Sequence, residues 1–351
     1  MESRRRRFLE DLLSTASPSG FESPSQSVWV EYVSEFADEV RTDDYGNAVA
    51  IVEGGDPTIA FAGHSDEIGF MVRDIEEDGT IRITPIGGSD RTVSQGQHVV
   101  VHTDDRPING VIGQTAIHLR DSSEDSVQDI SKQQVDIGAT DGEEAAALIE
   151  RGDPITFDQT ISELEGERIA ARGLDNRIGI WAAAEALRRA AEENPAATIC
   201  AVSTVQEEVG LKGAQMVGFD LAPDVAVAID VTHATDAADT PGERSTGVEL
   251  GSGPVVARGS ANHPKVVSAV RDAADQADVD IQLQATGSRT GTDADAFFTS
   301  RGGIPALNLG VPNRYMHTPV EMLDLNDLDE TAGVLAEFAL DAHTYEFSVS
   351  L

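Results

Sequence analysis

From Ala170 onward, short apolar runs alternate with helical stretches, and that alternation confines the chain to a small set of folds. Residues 178–191 repeat apolar side chains with the period of a helix. The runs 198–205 and 225–229 are bounded by turn signals and read as buried strands. A helix over 263–277, a strand over 281–285, a helix over 293–300, a strand over 305–309 and a helix over 325–342 follow. Strands that alternate with helices require a mainly parallel sheet covered on both faces. At the other end, helices over 8–14 and 28–36 and strands over 47–52 and 58–62 fit the same layers. Gly54-Gly55-Asp56-Pro57 supplies a turn between those two strands.

Residues 69–164 have a different texture. Strand-like pieces at 70–74, 80–85, 98–102, 111–112 and 155–157 are short and turn-separated, and only 143–150 has a helical pattern. The stretch 121–129 is acidic and reads as an exposed loop. A small β-rich unit over 69–165 is therefore expected to interrupt an α/β domain made of residues 1–68 and 166–351.

Composition narrows the possible partners. With 62 acidic against 25 basic residues the net charge is −37, so a basic face for nucleic acid or an anionic membrane is not expected. Only three lysines stand against 22 arginines, a style of composition suited to molar salt, where the Debye length is about 3 Å and self-repulsion is screened. The single cysteine, Cys200, excludes an internal disulfide framework and reads as a small buried hydrophobe. The basic run Arg4 to Arg7 is followed by Glu10 and Asp11, which interrupt any signal-peptide core, and no run approaches the roughly 20 apolar residues of a membrane span. A soluble, cytoplasmic protein is expected.

Five short segments carry chemistry. His64-Ser65-Asp66-Glu67 follows an apolar strand, and alternation along the strand points His64 and Asp66 the same way, so the carboxylate can hold the ring. Asp175 stands just before the helix at Ile178, where helix capping competes with ligation. Glu207-Glu208 follows the strand 198–205; two carboxylates at a buried strand end are costly without a compensating cation. Asp230 ends the strand 225–229, and His317 lies in a loop after the strand 305–309. Together these supply nitrogen and oxygen ligands without thiolate, a set suited to zinc, cobalt or manganese in a hydrolytic site. Two such ions can share a carboxylate and a water, lowering the water's pKa and stabilising an oxyanion. His98, His102 and His118 fall in the β-rich unit and read as non-ligands, and His233 is close to Asp230.

In sequence order these segments resemble the M42 family of metallo-aminopeptidases. The motifs are Pro18-Ser19-Gly20-Phe21-Glu22, Asp44-Tyr45-Gly46-Asn47, His64-Ser65-Asp66-Glu67-Ile68-Gly69-Phe70, Leu174-Asp175-Asn176-Arg177, Gln206-Glu207-Glu208-Val209-Gly210 and Met316-His317-Thr318-Pro319. The resemblance implies an α/β three-layer sandwich with a mainly parallel mixed sheet and an inserted, small β-barrel-like domain used for dimerisation. It implies two divalent ions per subunit, zinc foremost. Asp175 would bridge them, His64 and Asp230 would complete one site, and Glu208 and His317 the other. Glu207 would be the general base and Asp66 would orient His64. Peptides would be the substrates, and a homo-oligomer, up to a dodecamer built from dimers, the assembly. Two positions depart from the pattern: Asn176 stands where the family usually has Asp, and Ser89 where an aromatic is frequent. Rival readings are another di-metal amidohydrolase (a carboxypeptidase or deacylase) and a non-catalytic metal-binding assembly protein. Adjacent Glu207 and Glu208 suit metal chemistry better than a glycosidase pair, and no G-x-S-x-G elbow supports a serine hydrolase.

Overall fold

The computed structural model describes residues 1–120, 126–238 and 240–349. The chain opens with helices Ser3–Ser14 (α1) and Ser23–Val33 (α2) and strands Glu39–Thr42 (β1), Ala48–Val52 (β2) and Gly55–His64 (β3). Next come strands Gly69–Ile75 (β4) and Ile81–Ile86 (β5), the turn Arg91–Ser94 (α3), and strands His98–His102 (β6), Pro107–Ile112 (β7) and Gln134–Asp136 (β8). The helical turn Gly142–Ala146 (α4) and strand Pro154–Phe157 (β9) close this stretch. Strands Ser162–Glu163 (β10) and Arg168–Ala171 (β11) lead into helix Leu174–Glu192 (α5), strand Ala197–Thr204 (β12), helix Lys212–Asp220 (α6) and strand Val225–His233 (β13). The remainder is Val255–Gly259 (β14), Pro264–Gln276 (α7), Gln282–Thr286 (β15), Asp293–Thr299 (α8), Ala306–Asn313 (β16), Glu321–Asp324 (β17) and Leu325–Asp341 (α9).

Eight strands form one sheet in the order β1-β2-β12-β3-β13-β16-β14-β15. The central pairs β12/β3, β3/β13 and β13/β16 are parallel. Alternation along β3 divides the molecule into three layers. Ile59 and Phe61 face the core shared with α1, α2, α5, α7 and α9, whereas Ala60 and Ala62 face α6 and α8. Cys200 is buried in that second core, and burial pushes its thiol up to about 12, which leaves it unreactive. In α5, Ile178, Ile180, Trp181 and Leu187 are fully buried, each contributing about 1.5–3 kcal/mol. A Cβ on Gly63 would meet the backbone of Gly179 at 2.5 Å, so the glycine pair sets how closely α5 lies against β3.

Residues 69–157 supply a closed six-stranded barrel, ordered β4-β5-β8-β7-β6-β9. Alternate residues such as Val99, Val101, Ile81 and Ile83 fill it, and Phe70 meets Phe157 edge-on at 5.4 Å. It packs its own core, separate from that of the sheet.

The structure differs from the sequence reading in local detail. The expected turn at Gly54-Gly55-Asp56-Pro57 is largely strand: β3 begins at Gly55, and a register shift beside Ala197 absorbs the irregularity. The helix expected over 143–150 ends at Ala146. Helix α6 and strands β1, β14 and β17 carry too few periodic apolar residues to stand out. Of the acidic stretch 121–129, residues 126–129 are exposed and 121–125 lie outside the described residues. Among the described residues, no helix is long and apolar enough to cross a membrane.

Candidate metal centre at the sheet edge

The candidate residues converge where the parallel strands end, the edge at which open α/β sheets place their sites. His64 is the last residue of β3, Asp230 lies near the end of the adjacent β13, and Glu207 and Glu208 follow β12 on the other side. Asp175 enters from the start of α5, where its backbone departs from helical angles. The backbone is non-helical through Asn176, and Asn176 Oδ1, not Asp175, accepts the Gly179 amide at 3.0 Å, so the capping alternative for Asp175 does not hold. His317 comes from the loop between β16 and β17.

Both imidazoles are fixed by carbonyls. Nδ1 of His64 lies 3.1 Å from the backbone oxygen of Asp66, and Nδ1 of His317 lies 3.1 Å from that of Gly88. A carbonyl only accepts, so each ring donates from Nδ1 and turns Nε2 toward the cluster. Asp175 spans the two rings: its Oδ1 is 3.2 Å from Nε2 of His64 and its Oδ2 is 3.4 Å from Nε2 of His317. Oε1 of Glu208 stands 3.6 Å from Nε2 of His317. Around His64, Glu207 and Asp230 lie at 3.8 and 3.9 Å from Nε2. Ligand atoms of His64, Glu207 and Asp230, and again of His64, Asp175 and Glu208, all fall within 4.8 Å of one another. Glu207, the residue expected to be the base, thus shares a trio with His64 and Asp230.

Asp66 works from behind. It accepts from the Ser19 hydroxyl at 2.6 Å and from the amides of Glu207 at 3.0 Å and Glu208 at 3.2 Å. One carboxylate therefore fixes the loop carrying two cluster residues, and it lies 3.3 Å from the His64 ring. Next to it, Glu67 is held between the buried guanidinium groups of Arg172 and Arg177. Burial opposes the charge of Glu67, but Arg172 and Arg177 outweigh it and bring the carboxyl down to about 2.

Electrostatics identify the cluster as short of positive charge. Burial, with Asp230 and Asp293 nearby, pushes Glu207 up to about 10, and burial with Asp175 pushes Glu208 up to about 8. Burial also holds Asp230 well above the carboxylate range. Asp175 is the exception: burial opposes its charge, yet His317 and His64 hold it below its ordinary value. The hydrogen bond to Asp175, working against burial, holds His317 up to about 10. Burial disfavours charge on His64 too, but Glu207, Asp175 and Asp66 keep that ring well above its ordinary value. Unprotonated, these oxygens and nitrogens would face one another with nothing between them. Nitrogen and carboxylate donors in that arrangement fit divalent cations.

Glu321 and Gly88 carry no role in the sequence reading, and they join other groups that support the cluster. Glu321, fully buried, accepts from the amides of Asp175 and His317 at 2.9 Å each and so ties two cluster residues together. Its position four residues after His317 was the available signal. Asp293 is buried in the first turn of α8, accepts from Thr204 Oγ1 at 2.6 Å, and adds negative field at Glu207, while Thr292 caps the helix. A Cβ on Gly88 would lie 2.5 Å from His317 Nδ1, so the absence of a side chain lets the barrel loop reach the ring. Asn176 donates to the Ile229 carbonyl at 2.7 Å and accepts from the Gly179 amide at 3.0 Å, a two-way role suited to an amide. Ser89 bonds the carbonyls of Gly69 and Ile86 within the barrel. Of the set-aside histidines, His98 and His102 lie on β6 and His118 in a turn beyond β7, all outside the cluster; His233 lines the cavity but does not join it.

The cluster opens into a cavity of about 790 Å³, lined also by Gln284, Thr286, Arg289 and Thr292. Its size suits a small organic substrate.

The comparisons agree with this geometry. The M42 glutamyl aminopeptidase family matches residues 46–334. The lysyl aminopeptidase of Pyrococcus furiosus is 34% identical over 329 residues, covering 92% of this chain and 93% of the relative. A TET aminopeptidase from a marine sediment archaeon of the Thaumarchaeota superposes with a TM-score of 0.91 at 31% identity, covering 97% of both chains. The TET1 peptidase of Pyrococcus horikoshii, which can assemble into a tetrahedron or a large octahedral shell, superposes with a TM-score of 0.86 at 31% identity, over 96% of this chain and 99% of that one. An edge-of-sheet cluster of buried His, Asp and Glu, a barrel insert and these matches lead to one conclusion: the chain is an aminopeptidase of the M42 metallopeptidase family.

Proposed function

We propose that the enzyme removes N-terminal residues from peptides with two divalent ions per subunit, zinc foremost and cobalt or manganese as alternatives. His64 and Asp230 would hold one ion, Glu208 and His317 the other, and Asp175 both. The observation that carries this reading is the placement of Asp175, whose two oxygens face the Nε2 atoms of two different histidines. Bound there, the ions would act as Lewis acids and lower the pKa of a water.

The chain's own groups do the rest. Glu207 takes the proton of the attacking water and delivers it to the leaving amine, as a general base and then acid. Asp66 is a positioning residue: it holds the Glu207 and Glu208 amides and orients His64. Glu207→Gln should retain metal and lose turnover; wild-type turnover in that variant would remove Glu207 from the mechanism. A panel of free-amine and N-acylated substrates tests the peptide reading, since preference for blocked amines would indicate a deacylase. Metal binding without any hydrolysis would indicate a non-catalytic assembly protein.

The barrel is proposed as the dimerisation element of a homo-oligomer, up to a dodecamer, supported by the assembling behaviour of the Pyrococcus horikoshii relative. The excess of 37 negative charges supports a salt-adapted, cytoplasmic enzyme. The relatives' names include both glutamyl and lysyl activities, so family membership leaves the preferred first residue open.

A further inference from the structure

We propose that the barrel builds one of the two ion positions and not the other: the Gly87-Gly88 turn after β5 is a positioning element for His317 and Glu208, whereas His64 and Asp230 are set by the sheet. This rests on the two-ion reading and deepens it.

His64 and Asp230 stand toward the ends of adjacent parallel strands, β3 and β13. The carbonyl that holds the His64 ring belongs to Asp66, two residues further along the same segment. The catalytic layer thus fixes this pair from within. His317 stands in a loop instead, and its side chain is 34% exposed. Glu321 holds its amide, but its ring is held by the carbonyl of Gly88, 229 residues away in the chain. Glu208 meets the same turn: a Cβ on Gly87 would stand 3.1 Å from its Oε2 and 3.2 Å from its Cβ. Two consecutive glycines therefore lie against the two residues assigned to one ion. The turn is tied to the barrel by the Ser89 hydroxyl, which donates to the carbonyl of Gly69, the first residue of β4, at 2.8 Å.

Gly88 shows what the turn is for. Its φ lies outside the left-handed region, so its backbone would accept any L residue. A Cβ there would fall 2.5 Å from Nδ1 and 2.7 Å from Cε1 of His317, and its next neighbour, at 3.9 Å, is again an atom of that ring. The glycine serves the histidine rather than the turn. Partners that orient a ligating histidine are worth about 10–100-fold in metal affinity.

The test uses the full-length protein, stripped with a chelator and reloaded with zinc, with bound metal read by elemental analysis and affinities by calorimetry. The wild type should hold two ions per chain. Gly88→Ala should hold one at zinc concentrations that saturate the wild type, its second ion weakened about 10–100-fold, with the melting temperature of the metal-free protein unchanged. Gly113→Ala, the same change just past β7 where a Cβ meets nothing within 4 Å, should keep both ions. Combined with Asp230→Ala, which removes a ligand of the other ion, Gly88→Ala should leave none. Two ions at wild-type affinity in Gly88→Ala, or one ion surviving in the double variant, overturns the assignment and leaves the two-ion reading intact. A lower melting temperature for metal-free Gly88→Ala also overturns it, by making the glycine a requirement of the turn itself. A wild type that holds a single ion overturns both.

Discussion

Two groups of buried carboxylates lie next to each other in this protein and are treated in opposite ways. Glu67 sits between Arg172 and Arg177, all three at or below 7% exposure, and its charge is fully compensated within the chain. A residue's length away, the cluster of His64, Asp175, Glu207, Glu208 and Asp230 has carboxylates in excess of its histidines and no guanidinium. The first arrangement drives a glutamate down to about 2; the second drives one up to about 10. Burial is common to both, so the presence or absence of a paired cation makes the difference. A buried anion with its own arginines is structural. Buried anions without them specify a cation from outside.

The largest effect expected from this contrast is on turnover. Glu207→Gln should lower kcat by about 10²–10⁴-fold, the usual contribution of a general base, with metal content by elemental analysis unchanged. Loss of metal together with activity would instead make Glu207 a ligand, as its place in the trio with His64 and Asp230 allows.

The structural side of the contrast breaks on folding. Arg177→Met leaves Glu67 with half its compensation and should cost about 3–5 kcal/mol in chemical denaturation. Stability that depends on Glu67 has a definite pH signature. Its folded pKa is depressed to about 2, so the unfolded chain binds more protons in acid. That contribution is present above the ordinary glutamate pKa of about 4.3 and is lost as pH falls toward 2. Glu67→Gln should flatten the acid limb of a stability profile; an unchanged slope would assign it elsewhere.

Removal of metal is the next test. A chelator should lower the melting temperature, because an ion at 100 times its Kd stabilises by about 2.7 kcal/mol, and re-addition should restore it. A smaller effect separates surface from site. Lowering salt from about 1 M extends the Debye length beyond 3 Å, so activity and assembly should decline while bound metal persists. Full activity and assembly in low salt would remove salt adaptation and leave the chemistry untouched. Smallest of all, His102→Ala in the barrel loses a 2.8 Å hydrogen bond to Thr156 and should cost about 0.5–1.5 kcal/mol, with no change in metal content.

The sheet was legible because its strands are short apolar runs between helices, and periodicity reports that directly. Strand ends were legible too, which is why His64, Glu207 and Asp230 could be grouped before any geometry was known. What escaped has no periodic signature. Glu321 acts through two backbone amides, and Gly88 acts by lacking a side chain. The capping alternative for Asp175 is sound on local grounds and fails because the next residue, Asn176, accepts the helix amide of Gly179. Arg172 and Glu67 are 105 residues apart, so their pairing arises only when the segments that follow β11 and β3 meet in the fold.

The central claim is that Asp175 serves two ions at once. Metal stoichiometry by elemental analysis on the purified protein and on Asp175→Asn tests it most directly. The account requires two divalent ions per chain in the wild type and loss of both in the variant. One ion in a fully active wild type, or two retained in Asp175→Asn, would contradict it.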